Sequence, residues 1–116
     1  MAMGYYFYIL RSELKEIYYY GSSDDPDRRL GYHNGEQKGF TQRYRPWKIV
    51  FRHKFRTRAE AETAERLVKG WKSKKMTRLL IDGMIHLEDY LLAVAEQSAG
   101  TPTAVGAWLE SYPGSF

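Results

Sequence analysis

Cysteine is absent from the 116 residues of this chain, which excludes disulfide staples, thiolate nucleophiles and zinc sites built on thiolates. Stability must therefore come from core burial alone. No apolar run approaches the ~20 residues that span a bilayer, and the N-terminus lacks a basic segment followed by an apolar one. A cytoplasmic protein with no membrane association is the expectation. Missing as well are a Walker-type phosphate loop, a Gly-x-Gly-x-x-Gly fingerprint and a Gly-x-Ser-x-Gly nucleophile elbow. No internal repeat or low-complexity segment is evident, and residues 79–116 hold neither Lys nor Arg.

What is present is aromatic and basic. Ten Tyr, three Trp and five Phe are far more than a disordered chain carries, and the length suits one compact domain whose small core gains area from large rings. The formal charge of +4 conceals a split, because residues 1–78 carry all 18 Lys and Arg against nine acids and residues 79–116 carry five acids. A basic half of this kind is the electrostatic footprint of a phosphate-rich partner, since each neutralised phosphate releases counterions. A solvated basic surface is the plainer reading.

The aromatic run Tyr5 to Leu10, the polar stretch Ser12 to Glu16 and the second run Ile17 to Tyr20 read as a β-hairpin. Asp25 is placed to cap a helix and Pro26 suits its first position, so a helix is predicted from Pro26 to about His33, stopped by Asn34-Gly35. A loop rich in Gly and basic residues follows to Pro46. Trp47 to Phe55 alternates, with Trp47, Ile49, Phe51, His53 and Phe55 expected on one face of a third strand. Thr57-Arg58-Ala59-Glu60 has the form of a capping box, and Ala61, Ala64, Val68 and Trp71 continue at helical spacing, which predicts a helix over Arg58 to Lys72. A short helix over Met76 to Ile81 ends before Gly83, Leu87 to Gln97 is amphipathic, and Thr101-Pro102 opens a last short helix. The sum is an α+β fold: a small antiparallel three-stranded sheet flanked by helices, with an acidic helical tail. Residues 1–82 form the expected main domain, with residues 83–116 as a helical extension packed on or tethered to it.

Within this frame Tyr8, Tyr19, Arg29 and His33 converge at one sheet edge. Arg29 and His33 are four apart on one helix face, and the two tyrosines come from neighbouring strands. Glu65 lies beside the stripe of Ala61, Ala64 and Val68 and faces partly inward. Each residue also has a structural reading: Tyr8 and Tyr19 as core aromatics, Arg29 paired with Asp25, His33 as a cationic helix cap, and Glu65 paired with Lys69. Asn34 is a helix stop or a phosphate contact, and His53 a sheet residue.

The order and separation of these motifs resemble the GIY-YIG endonucleases, in particular their small single-domain members. Tyr6-Phe7-Tyr8 stands at the first triplet, with Tyr6 and Phe7 in place of Gly and Ile, and Tyr19-Tyr20-Gly21 at the second. The run Tyr18 to Tyr20 leaves the register open by one residue, and Gly21 as third member favours Tyr19. Arg29 follows Tyr19 by ten residues and His33 by four more, while Tyr32-His33-Asn34, Arg45 to Val50 and Ala61 to Glu65 match further segments. The resemblance covers about Tyr5 to Leu80. It implies hydrolysis of DNA phosphodiesters with one Mg²⁺ or Mn²⁺ ion, Glu65 as metal ligand, and Tyr8 as general base with Tyr19 and His33 positioning water and phosphate.

The residue types suit that chemistry independently. Arg29 can fork onto two phosphate oxygens while charged at every relevant pH, and Glu65 is a hard oxygen ligand. Tyr8 accepts a proton only where positive charge lowers its pKa from ~10, whereas His33 titrates near ~6.5 when unperturbed; the base is Tyr8, Tyr19 or His33. Asn34, Lys38, Arg43 and Arg45, interleaved with Phe40 and Tyr44, are candidates for holding a nucleic-acid strand by charge and stacking. DNA, with RNA as an alternative, is the expected partner, bound by a monomer or weak homodimer. A binding module on the same fold that does not turn over is the alternative function.

Overall fold

The computed structural model describes residues 4–35 and 39–99, with side chains as far as Ala93. Lys38 and the helix expected at Thr101-Pro102 lie outside the described residues. The element order is β1 (Tyr5–Ser12), β2 (Tyr18–Ser23), α1 (Pro26–Asn34), α2 (Phe40–Arg43), β3 (Trp47–Phe55), α3 (Arg58–Trp71), α4 (Lys74–Ile81) and α5 (Leu87–Ala99). The fold is α+β, built on a three-stranded sheet in the order β2-β1-β3 with both pairings antiparallel. Cα-level packing divides the chain into two compact units, residues 1–66 and 67–116, the division falling within α3.

In the first unit β1 is the central strand, and Phe7, Tyr8, Ile9 and Leu10 are all buried. Covered on both faces, a strand reads as an unbroken apolar run, which is how the opening segment reads. The two faces are distinct. Tyr8, Leu10 and Trp47 form one cluster, packed by Ile17, Tyr19, Leu30, Tyr44 and Ile49, while Phe7 on the other face meets Phe51 with ring centroids 6.0 Å apart.

The strict alternation expected along β3 is broken at one place. Ile9 pairs with Phe51 but Leu10 pairs with Ile49, so Val50 is the extra residue of a β-bulge. Trp47 and Ile49 therefore share a face with Tyr8 and Leu10, and Phe51, His53 and Phe55 turn to the opposite one. The five residues expected on one face are split between two.

Local signals position the helices. The Asp25 side chain accepts from the backbone N–H of Arg28 at 3.1 Å, with Pro26 in the first turn of α1. Thr57 Oγ1 accepts from the Glu60 N–H at 3.2 Å, and Glu60 reaches back to the Arg56 N–H at 3.1 Å, so the capping box closes one residue early. Within the expected loop the structure has an additional single turn, α2. It is held by tertiary bonds: buried Trp47 Nε1 donates to the Thr41 carbonyl at 2.7 Å, and Ser12 Oγ donates to the Tyr44 carbonyl at 2.7 Å.

In the second unit Ser73 caps α4 by accepting from the Met76 N–H at 3.1 Å, which starts that helix earlier than its apolar spacing suggests. Trp71, Thr77, Leu80 and Leu87 are buried, and Trp71 meets Tyr90 edge-on at 5.3 Å. No helix among the described residues is long and apolar enough to cross a membrane.

Candidate active site

Tyr8 pairs with Gly21 across β1 and β2, and its ring passes directly over that glycine. A Cβ at position 21 would sit 2.6 Å from the Tyr8 hydroxyl and 2.7 Å from Cζ. The absence of a side chain at Gly21 thus lets a buried phenol cross the edge strand with its hydroxyl toward the outer rim of the sheet. From one face α1 brings Arg29, which donates a hydrogen bond to the Tyr8 hydroxyl. The same guanidinium lies over the Tyr32 ring at 4.8 Å. From α3 comes Glu65, whose Oε1 accepts from Ser22 Oγ at 2.8 Å. Ser22 follows Gly21 and pairs with Phe7, so its side chain leaves β2 on the face opposite to Tyr8. Tyr8, Arg29 and Glu65 therefore meet around the edge of one strand, and the Glu65 charge is felt at Tyr8.

Protonation follows from burial. Tyr8 is 1% exposed, and desolvation raises its pKa above the ordinary phenol value; the bond and charge of Arg29 pull the other way and are outweighed. His33, 2% exposed, is pushed down to about 4 by desolvation and by the Arg29 charge. It is neutral at pH 7. A cationic cap at the end of α1 is therefore not its task. Instead its ring packs on Tyr19, with centroids 4.4 Å apart, and edge-on to Tyr32. Tyr19 in turn meets Trp47 at 6.5 Å, which links the site to the cluster behind it.

Arg29 is not the partner of Asp25; that carboxylate takes Arg28, at 3.7 Å. Asn34 spends both ends of its amide on one residue: Nδ2 donates to the Trp47 carbonyl at 3.0 Å and Oδ1 accepts from the Trp47 N–H at 2.6 Å. It splices α1 to β3 at the residue read from the sequence as a helix stop or a phosphate contact. Arg45 donates to the Gly35 carbonyl, tying the segment before β3 to the end of α1. Arg43 is exposed in the single turn α2, beside half-exposed Phe40, which stacks against Tyr44 and Trp47.

Beside Ser22 and Arg29 opens a polar cavity of about 270 Å³, lined also by Tyr5, Asp24, Arg28, Arg58 and Glu62. Arg28, Arg58 and Glu62 were not among the candidates named from the sequence; Arg58 and Glu62 are paired at 2.9 Å at i,i+4, a spacing common on solvated helix faces. The signal was present all the same. Arg58, Glu62 and Glu65 are spaced i, i+4 and i+7, one stripe of α3 that includes the carboxylate already singled out.

An arginine, a carboxylate and two tyrosines thus lie at the rim of a small antiparallel sheet. The family model described as the GIY-YIG catalytic domain matches residues 4–78, and the chain belongs to the GIY-YIG family. The structure-specific endonuclease subunit slx1 of Schizosaccharomyces japonicus is 43% identical over 82 residues, 66% of this chain and 29% of that protein. Structure-specific endonuclease subunit SLX1 of Phaeosphaeria nodorum is 46% identical over 48 residues, 37% of this chain and 13% of its own length. UPF0213 protein lwe0147 of Listeria welshimeri is 35% identical over 82 residues, covering 70% of this chain and 90% of that protein. The chain thus spans less than a third of the two endonuclease subunits and most of the smaller relative.

Proposed function

We propose that this domain is an endonuclease that hydrolyses DNA phosphodiester bonds with one divalent cation, Mg²⁺ or Mn²⁺. The observation that carries the reading is the convergence of Tyr8, Arg29 and Glu65 from three elements on the outer edge of β2. The description of two relatives as structure-specific endonuclease subunits supports DNA as the substrate. Arg29 stabilises the charge that builds on phosphate oxygens in the transition state, with donors to spare beyond the one given to Tyr8. Tyr8 is a neutral phenol in the free protein; once it gives up its own proton to solvent, which positive charge nearby favours against its burial, the phenolate accepts the proton of the attacking water. Tyr19, backed by the buried His33 ring at 4.4 Å, orients that water and the phosphate, and Arg43, with Phe40 and Tyr44 beside it, holds the strand by charge and stacking.

The donor set fits a hard cation. Among the described residues no three of His, Cys, Asp and Glu gather into a metal cage, and Glu65 is a partly exposed carboxylate steadied by Ser22. One carboxylate with waters and substrate oxygens is a common Mg²⁺ arrangement. Held by Glu65, the ion would supply charge neutralisation at the leaving oxygen.

The test is incubation of the purified chain with supercoiled, linear and branched DNA, in Mg²⁺, Mn²⁺ or EDTA, beside Arg29→Ala and Glu65→Ala. Cleavage should require metal and fall by ~10²- to 10³-fold in Arg29→Ala. Full metal-dependent activity in Glu65→Ala would overturn the site. DNA bound in every form but never cut would make the domain a binding module.

A further inference from the structure

The cavity beside Ser22 is used by none of the steps above. Three guanidinium groups line it, Arg28, Arg29 and Arg58, with Tyr5 and the carboxylates Asp24 and Glu62. Arg29 bridges the two places, since it also holds Tyr8. Arg28 is paired with Asp24 at 3.5 Å and Arg58 with Glu62 at 2.9 Å. Both pairs are open to water, the Arg28 and Arg58 side chains being 66% and 71% exposed. Exposed pairs of this kind are weak and exchange easily, whereas a guanidinium grips phosphate through two parallel hydrogen bonds.

We propose that this cavity is a second phosphate subsite, which takes the backbone phosphate next to the one cleaved, with Arg58 as its principal ligand and Arg28 assisting. In the free protein Glu62 occupies Arg58 and acts as an internal competitor for that phosphate. The subsite rests on the endonuclease reading and adds to it a means of fixing the strand on one side of the reacting bond.

The competitor gives the test opposite signs. DNA affinity is measured by fluorescence anisotropy of a labelled duplex in EDTA, so that nothing is cut, for the parent chain, Arg58→Gln, Glu62→Gln and the double variant across a range of salt. Arg58→Gln should weaken binding by ~3- to 10-fold and reduce the salt slope by about one. Glu62→Gln should tighten binding, and that gain should vanish in the Arg58→Gln background. With metal present, Arg58→Gln should raise KM for DNA by more than it lowers kcat. A gain from Glu62→Gln that survives in the double variant would show only a general change in charge and overturn the subsite. An Arg58→Gln variant with parental affinity and slope would do the same, while cleavage by the parent chain left the endonuclease reading intact. A parent chain that neither binds nor cuts DNA would remove both.

Discussion

The ring of Tyr8 and the bare backbone of Gly21 are one device. Gly21 is needed for space, since its backbone lies outside the left-handed region and the obstacle to a side chain is the phenol 2.6 Å from where Cβ would be. Gly21→Ala must push a buried aromatic ring out of a filled core, and overpacking of this kind costs about 1–3 kcal/mol. The expected result is a lower urea midpoint, together with a loss of DNA cleavage that persists under conditions where the variant is fully folded. Cleavage at the parental rate by a folded Gly21→Ala protein would show that the position of the Tyr8 hydroxyl does not matter. At this scale much of the site was legible. Tyr8, Tyr19, Arg29, His33 and Glu65 were marked by spacing, and the structure gathers Tyr8 with Arg29 and Glu65, and Tyr19 with His33. Protonation was not legible, because the fate of His33 depends on how deeply the fold buries it.

Among the elements, the segments with local chemistry were readable and those held by tertiary bonds were not. Asp25 and Pro26 announce α1, and Thr57 with Glu60 announces α3. The bulge at Val50 falls in the apolar run Ile49-Val50-Phe51, where alternation lapses, but an apolar run alone does not announce a bulge, and only pairing with β1 reveals the shift. The single turn α2 is too short for an apolar period and rests on the bond from Trp47 to Thr41. Asn34 belongs with these. Its amide satisfies both backbone groups of Trp47 as a neighbouring strand would, at the point where β3 begins. Asn34→Asp keeps the acceptor for the Trp47 N–H but replaces the donor with a charge facing the Trp47 carbonyl, so a loss of about 1–3 kcal/mol is expected. Urea unfolding followed by tryptophan fluorescence measures it. A variant as stable as the parent would mean that the splice between α1 and β3 contributes nothing.

For the whole molecule, burial of His33 ties folding to pH. The unfolded chain protonates this imidazole near its ordinary value of ~6.5, while the folded one holds it neutral down to about 4. Between these values the unfolded state binds more protons than the folded state, so stability rises with pH across the interval. The contribution of the neutral ring is complete above ~6.5, declines as pH falls toward 4, and amounts to about 3 kcal/mol at most. Carboxylates titrate toward the lower end of the same range. The comparison therefore has to be with a variant that lacks only the imidazole. His33→Gln gives up ring packing on Tyr19 and Tyr32 and is expected to be less stable at pH 7, but its stability should decline less steeply between pH 6.5 and 4 than that of the parent. Urea midpoints at half-unit steps of pH decide the matter, supported by the imidazole proton resonances of the parent, whose midpoint should lie near 4. Parallel curves for parent and variant, or a His33 midpoint near 6.5, would show that the ring is open to water. His33 would then be free to carry charge at the pH of the reaction and would replace Tyr8 as the group best matched to accept a proton there.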